Sequence, residues 1–184
     1  MCIEEIKKLA DQIGFTDTGQ VNMDALVPLK EVRDMCSADK CERYGKNWGC
    51  PPSPVCQSIE DSYDKMHEYE DGILCQYTAR MDDEFDMVVI AESAKKHKSM
   101  FDTLIRQLKL MNVECMPLSA GSCTRCRKCT YPDKPCRYPD KLYPSMEAYG
   151  LWVSDVCEKS GMKYNHGENS ITYTACVLVK GVNE

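Results

Sequence analysis

No stretch of the chain approaches the about 18 consecutive apolar residues of a membrane-spanning helix. Its start, Met1-Cys2-Ile3-Glu4-Glu5, lacks the basic-then-apolar layout of a secretory signal. Both absences argue against a membrane partner and lead us to expect a cytoplasmic protein. Nor is there a basic tail: 23 Lys and Arg stand against 29 Asp and Glu, a net charge of −6. Nucleic acid is therefore not an expected partner, because neutralising phosphates takes clustered cations. Gly45-Lys46-Asn47 lacks the glycine spacing and the following Ser or Thr of a phosphate loop. Neither a dinucleotide fingerprint nor a nucleophile elbow is present. The only three histidines, His67, His97 and His166, are isolated and read as ordinary helix or surface residues.

Against these absences stand 13 cysteines in 184 residues. In a reducing cytosol thiols stay free, and an odd number cannot all pair within one chain, so cysteines in such numbers point to metal binding or catalysis. A hydrophobic fraction of 43% and a charged fraction of 28% are globular values for one domain over 1–184.

The hydrophobic pattern predicts a mixed α/β (α+β) fold with a central sheet of about four strands. Ile3, Ile6, Leu9, Ala10 and Ile13 make one face of a first helix stopped by Gly14. A weak strand follows over 15–21, then a short helix over 29–35. Ser58 caps another helix, with Asp61 three residues on, running to about Tyr69 with Gly72 as its stop. A strand is expected over 73–80, helix in two pieces over 82–112, a short strand over 113–118, a helix from Ser145 to about Ser160, and a last strand over 171–179. The order helix, strand, cysteine loop, helix, strand occurs twice, which suggests an internal duplication of halves 1–81 and 82–184.

The two segments without periodicity carry the cysteine loops. In the second, Cys123, Cys126 and Cys129 follow one another at two-residue spacing, and Cys136 comes six residues later. Three thiolates at that spacing let a curled loop reach three corners of an iron–sulfur cube while a distant cysteine takes the fourth, as in bacterial ferredoxins, where the last spacing is three. Zinc sites more often use two separated pairs, which makes zinc the alternative cofactor. Arg125, Arg127, Lys128 and Arg137 interleave this loop and would favour the reduced form of an anionic cluster.

In the first loop Cys36, Cys41, Cys50 and Cys56 are separated by four, eight and five residues, which match no zinc knuckle. Prolines stiffen the chain after Cys50, Gly45 and Gly49 allow close backbone approach, and Tyr44 and Trp48 are placed to shield a site. Cys56 is the softest of the four as a ligand. Without it, three thiolates would leave one iron open to substrate, which is how a cluster becomes a Lewis acid. The expected task is electron transfer by one or two [4Fe–4S] clusters, with a redox protein or a small molecule as partner. The alternatives are an enzyme for sulfur removal or transfer at an open cluster, and a zinc-stapled interaction module. A thiol switch at Cys2 ranks last. Cys2, Cys75, Cys115, Cys157 and Cys176 read as packing residues.

The run Cys36-x4-Cys41-x2-Tyr44-Gly-Lys-Asn-Trp-Gly-Cys50-Pro-Pro resembles the predicted metal-binding protein family called domain of unknown function 2284. So do Gly121-Ser-Cys123-x2-Cys126-x2-Cys129, Cys136-Arg and Pro144-Ser-Met-Glu-Ala-Tyr-Gly150. The resemblance implies a cysteine-ligated metal, iron–sulfur for preference, in a protein of anaerobic bacteria or archaea. It supplies no reaction, and Cys56 lies outside the family pattern.

Overall fold

A computed structural model describes residues 1–181. Helix α1 (Ile3–Ile13) opens where the Glu5 carboxylate accepts the Cys2 backbone N–H at 2.9 Å, and it closes at Gly14 in the left-handed region. Strand β1 (Asp17–Gln20), helix α2 (Lys30–Ser37), helix α3 (Ile59–Met66) and strand β2 (Asp71–Arg80) complete the first half. Helix α4 (Met87–Leu110), strand β3 (Cys115–Leu118), helix α5 (Val153–Lys159) and strand β4 (Ser170–Val179) make the second. Ser58 does cap α3, its hydroxyl accepting the Asp61 N–H at 2.9 Å.

The four strands form one antiparallel sheet in the order β1-β2-β4-β3. The long strands β2 and β4 pair at the centre, with Cys75 opposite Ala175 and Leu74 opposite Cys176. Each half thus supplies one central and one edge strand. Because side chains alternate across a strand, the two central strands feed two separate cores. Ile73, Cys75, Ala175, Val177 and Val179 pack under α1 and α4, against Phe101, Leu104 and Leu108. Leu74, Cys176 and Leu178 pack on the other face against Leu118, Met146, Leu151 and Val156. Truncating any of these fully buried leucines to alanine would cost about 2–5 kcal/mol.

Three expectations need correction. Helix α4 is one unbroken helix of 24 residues, capped by Asp86, whose carboxylate accepts the Val89 N–H at 3.0 Å. The expected helix from Ser145 is instead a single 3₁₀ turn, Glu147–Tyr149, followed by extended chain and then α5. Gly150 breaks it: its φ is +82°, and a Cβ there would stand 3.2 Å from both the N and the O of Leu29. Gly72 lies inside β2, and α3 ends before it, at His67.

Two long connections carry the loop cysteines. The first runs on from α2 and returns to α3; the second leaves β3 and returns through the Glu147–Tyr149 turn.

Candidate metal centre

Cys123, Cys126, Cys129 and Cys136 line one hollow together, all partly exposed. The hollow has about 20 Å³ of free space, room for about one water-sized group. The Tyr138 N–H approaches the Cys136 sulfur at 3.4 Å. Arg125 and Arg137 line the same hollow, whereas the exposed Arg127 and Lys128 do not. Arg125 is held in place by the Asp102 carboxylate, by the Lys141 carbonyl at 2.5 Å and by the Tyr143 ring. Arg137 donates to the Lys128 carbonyl at 3.0 Å, which folds the loop back on itself. From α4, the Lys98 ammonium donates to the Ser122 carbonyl at 2.5 Å and to the Thr124 hydroxyl at 3.3 Å. Burial lowers the Lys98 pKa, while Cys123 acts in the opposite direction. A lysine anchoring the loop from another element gives no local sequence signal.

The first loop builds a different space. Cys36, Cys41 and Cys50 line a hollow of about 320 Å³, together with Val32, Tyr44, Pro51, Ala148 and Glu147. Cys56 does not line it. That residue ends a 3₁₀ turn, Pro54–Cys56, with 1% of its surface exposed. Burial raises the Cys50 thiol to about 12, helped by Cys56, Cys41, Cys36 and Cys123, and raises the Cys56 thiol to about 12 against the pull of Arg33. As free thiols both stay protonated at neutral pH, so binding a metal there has to release protons.

Arg33 organises this corner. Its guanidinium donates to the carbonyls of Ala148 at 2.7 Å, Cys56 at 2.7 Å and Gln57. The Leu29 N–H donates to the Gly150 carbonyl at 2.8 Å. Helix α2, the Cys56 turn and the Glu147 turn are thus tied by one cation and one backbone bond.

The two loops interlock. The Asn47 amide donates to the Cys123 carbonyl at 2.8 Å, and its oxygen accepts the Gly49 N–H at 2.9 Å. A Cβ on Gly49 would meet the Cβ of Cys123 at 3.5 Å, an ordinary van der Waals contact, and the Leu142 side chain at 3.3 Å, so the two loops pack in direct contact here. Trp48 crosses over: its indole N–H donates to the Lys134 carbonyl at 3.0 Å, and its ring meets Tyr131 edge-on at 4.9 Å. The tryptophan expected to shield the first site therefore lines the second, together with Arg43 from the same first loop. Tyr44 does face the first hollow.

Residues 20–179, spanning both loops and the strands β2, β3 and β4, match the family described as predicted metal-binding protein, DUF2284. The chain belongs to this family. Membership in DUF2284 supports a metal-binding role. No curated protein and no solved structure matches the chain. Among the described residues no three His, Cys, Asp or Glu side chains converge tightly enough to hold a single metal ion, and no helix is long and apolar enough to cross a membrane.

The remaining residues divide clearly. Cys75, Cys157 and Cys176 are fully buried, and Cys115 is partly so. His166 contacts the buried Gln76 side chain at 3.1 Å, and Gln76 in turn donates to the Lys163 carbonyl at 2.9 Å. His97 is not a surface residue: it is wholly buried among Phe15, Phe101 and Tyr173, and neither ring nitrogen forms a well-aligned hydrogen bond. Burial lowers its pKa to about 4, against a smaller upward pull from the Cys75 backbone.

Proposed function

We propose that this chain is a cytoplasmic iron–sulfur protein, carrying a [4Fe–4S] cluster on Cys123, Cys126, Cys129 and Cys136 and a second in the first cysteine loop, and passing single electrons to a redox partner. The observation that carries this reading is the gathering of all four second-loop thiols around one hollow bordered by Arg43, Arg125 and Arg137, in a chain of net charge −6. The donor set fits the group: a cluster held by four thiolates is anionic, and cations at its edge offset that charge and raise its potential. When bound, the cluster supplies a one-electron couple. The protein's own part is to hold the sulfurs, keep Arg125 oriented through Asp102, and bring the first loop against Cys123 through Asn47. Adjacent loops suit two centres exchanging electrons at short range.

One alternative is a zinc ion acting as a structural staple: the small volume beside the second-loop thiols leaves room for it, but the thiols do not yet converge on one point and would have to close in. The half-exposed loop has to spread to admit a cube. Preparation without dioxygen, followed by iron, acid-labile sulfide and zinc analysis, separates the two. Iron and sulfide in near-equal amounts per chain support the cluster, and zinc without sulfide overturns it.

A further inference from the structure

Of the thiol and carboxylate groups lining the first hollow, one is not a cysteine. Glu147 opens the 3₁₀ turn after the second loop and lines the same space as Cys36, Cys41 and Cys50. Its Oε2 is buried and has no hydrogen-bond partner, and the carboxylate has no ion-pair partner among the described residues. A buried, unanswered carboxylate oxygen is costly and calls for a cation. The nearby guanidinium of Arg33 does not answer it, being committed to the carbonyls of Ala148, Cys56 and Gln57. Lys40 lines the hollow but is solvent-exposed.

The turn that presents Glu147 is rigidly placed. The Met146 N–H donates to the Ser119 carbonyl at 3.1 Å, the Ala148 N–H donates to the Ser145 hydroxyl at 3.1 Å, and the Gly150 N–H closes the turn on the Glu147 carbonyl at 2.9 Å. Arg33 and Leu29 lock that turn to α2, the helix carrying Cys36. Cys56, the residue at the position a fourth thiolate would occupy in sequence, lies outside the hollow.

We propose that Glu147 supplies the fourth ligand of a metal cluster lined by Cys36, Cys41 and Cys50, a three-thiolate, one-carboxylate set spread around the hollow for a multi-metal group rather than converging on a single ion, and from which Cys56 is excluded. This rests on the reading that the first loop binds metal. A carboxylate oxygen is a harder ligand than thiolate and holds a thiophilic ion less firmly. The carboxylate would therefore be the ligand an incoming group displaces first, which would make this centre the exchangeable one and leave the second loop, with its four thiols, as the closed one.

The test uses the full chain loaded with Fe²⁺ and sulfide without dioxygen, and in parallel with Zn²⁺ alone. Metal per chain and the Mössbauer spectrum are read for Glu147→Gln, Glu147→Cys and Cys56→Ser, with thermal unfolding of each metal-free variant as the folding control. The expected result is that E147Q loses the metal atom that Glu147 holds, E147C restores it with an all-thiolate spectrum, and C56S matches the parent chain. An E147Q spectrum and metal content identical to the parent's overturn the proposal, as does loss of first-loop metal in C56S. Cys41→Ser keeps the two readings apart. If C41S leaves metal content unchanged, the first loop holds no metal and the underlying reading fails; if it lowers metal content while E147Q does not, only the role of Glu147 fails.

Discussion

The two cysteine loops sit side by side and differ in almost every physical respect. The second gathers four half-exposed thiols around about 20 Å³ and rings them with arginines. The first sets three thiols and a carboxylate around about 320 Å³ of mostly apolar wall. Cation-rich surroundings stabilise a fixed anionic group, whereas a roomy hollow with an unanswered carboxylate suits a centre that exchanges ligands. The lesson is that ligand count alone does not define such a site: the proposed relay and exchange roles rest on what surrounds the sulfurs, cations in one loop and an apolar wall with a carboxylate in the other.

That contrast breaks most sharply under ligand removal. Replacing Cys126 and Cys129 together by serine should abolish metal binding at the second loop and leave first-loop metal bound but more weakly held, as read by metal per chain and Mössbauer spectroscopy. Loss of both centres would show that the loops are not separate sites. A smaller effect is expected at Arg33. Arg33→Ala leaves three carbonyls without their donor and should cost roughly 2–4 kcal/mol in urea unfolding, since each lost hydrogen bond to a charged donor is worth about 1.5–3 kcal/mol and water restores part of it. Its metal loss should fall on the first loop alone.

Acid should act on the scaffold that both loops share. His97 has a folded pKa of about 4 against an ordinary value of about 6.5. Between those values the unfolded chain binds the proton and the folded chain does not, so the full stability exists above about pH 6.5 and is lost as pH falls toward 4. The loss amounts to about 3 kcal/mol at most. Unfolding by urea of the metal-free chain between pH 7.5 and 4.5 should show it, and His97→Phe should flatten the profile. The smallest effect belongs to Trp48→Phe, which keeps the ring against Tyr131 but loses the bond to Lys134. It should cost about 1 kcal/mol and shift the spectrum of the second centre, although Trp48 belongs to the first loop.

Much of this could be read from the chain alone, and the misses have physical causes. The strands β2 and β4, the stop at Gly14 and the Ser58 cap follow from local pattern. Helix α4 reads as two pieces because Ser93 and His97 occupy inward positions ahead of Met100, Leu104 and Leu108, which interrupts the apolar stripe with polar side chains that are in fact buried. The break at Gly150 is set by its closeness to Leu29, a contact 121 positions away in sequence. The grouping of Cys123, Cys126, Cys129 and Cys136 around one hollow follows their spacing, whereas Cys56, grouped by sequence with Cys36, Cys41 and Cys50, does not line theirs. The crossing of Trp48 and Arg43 into the second site, and the return of Glu147 to the first, depend on how two distant segments dock, which no local spacing encodes.

The Asn47 side chain reaches both ways, accepting from Gly49 in one loop and donating to Cys123 in the other. Ordering either segment therefore freezes part of its neighbour, and the second ligation event starts with less chain entropy left to lose. Uptake should be cooperative, with half-filled molecules scarce during assembly.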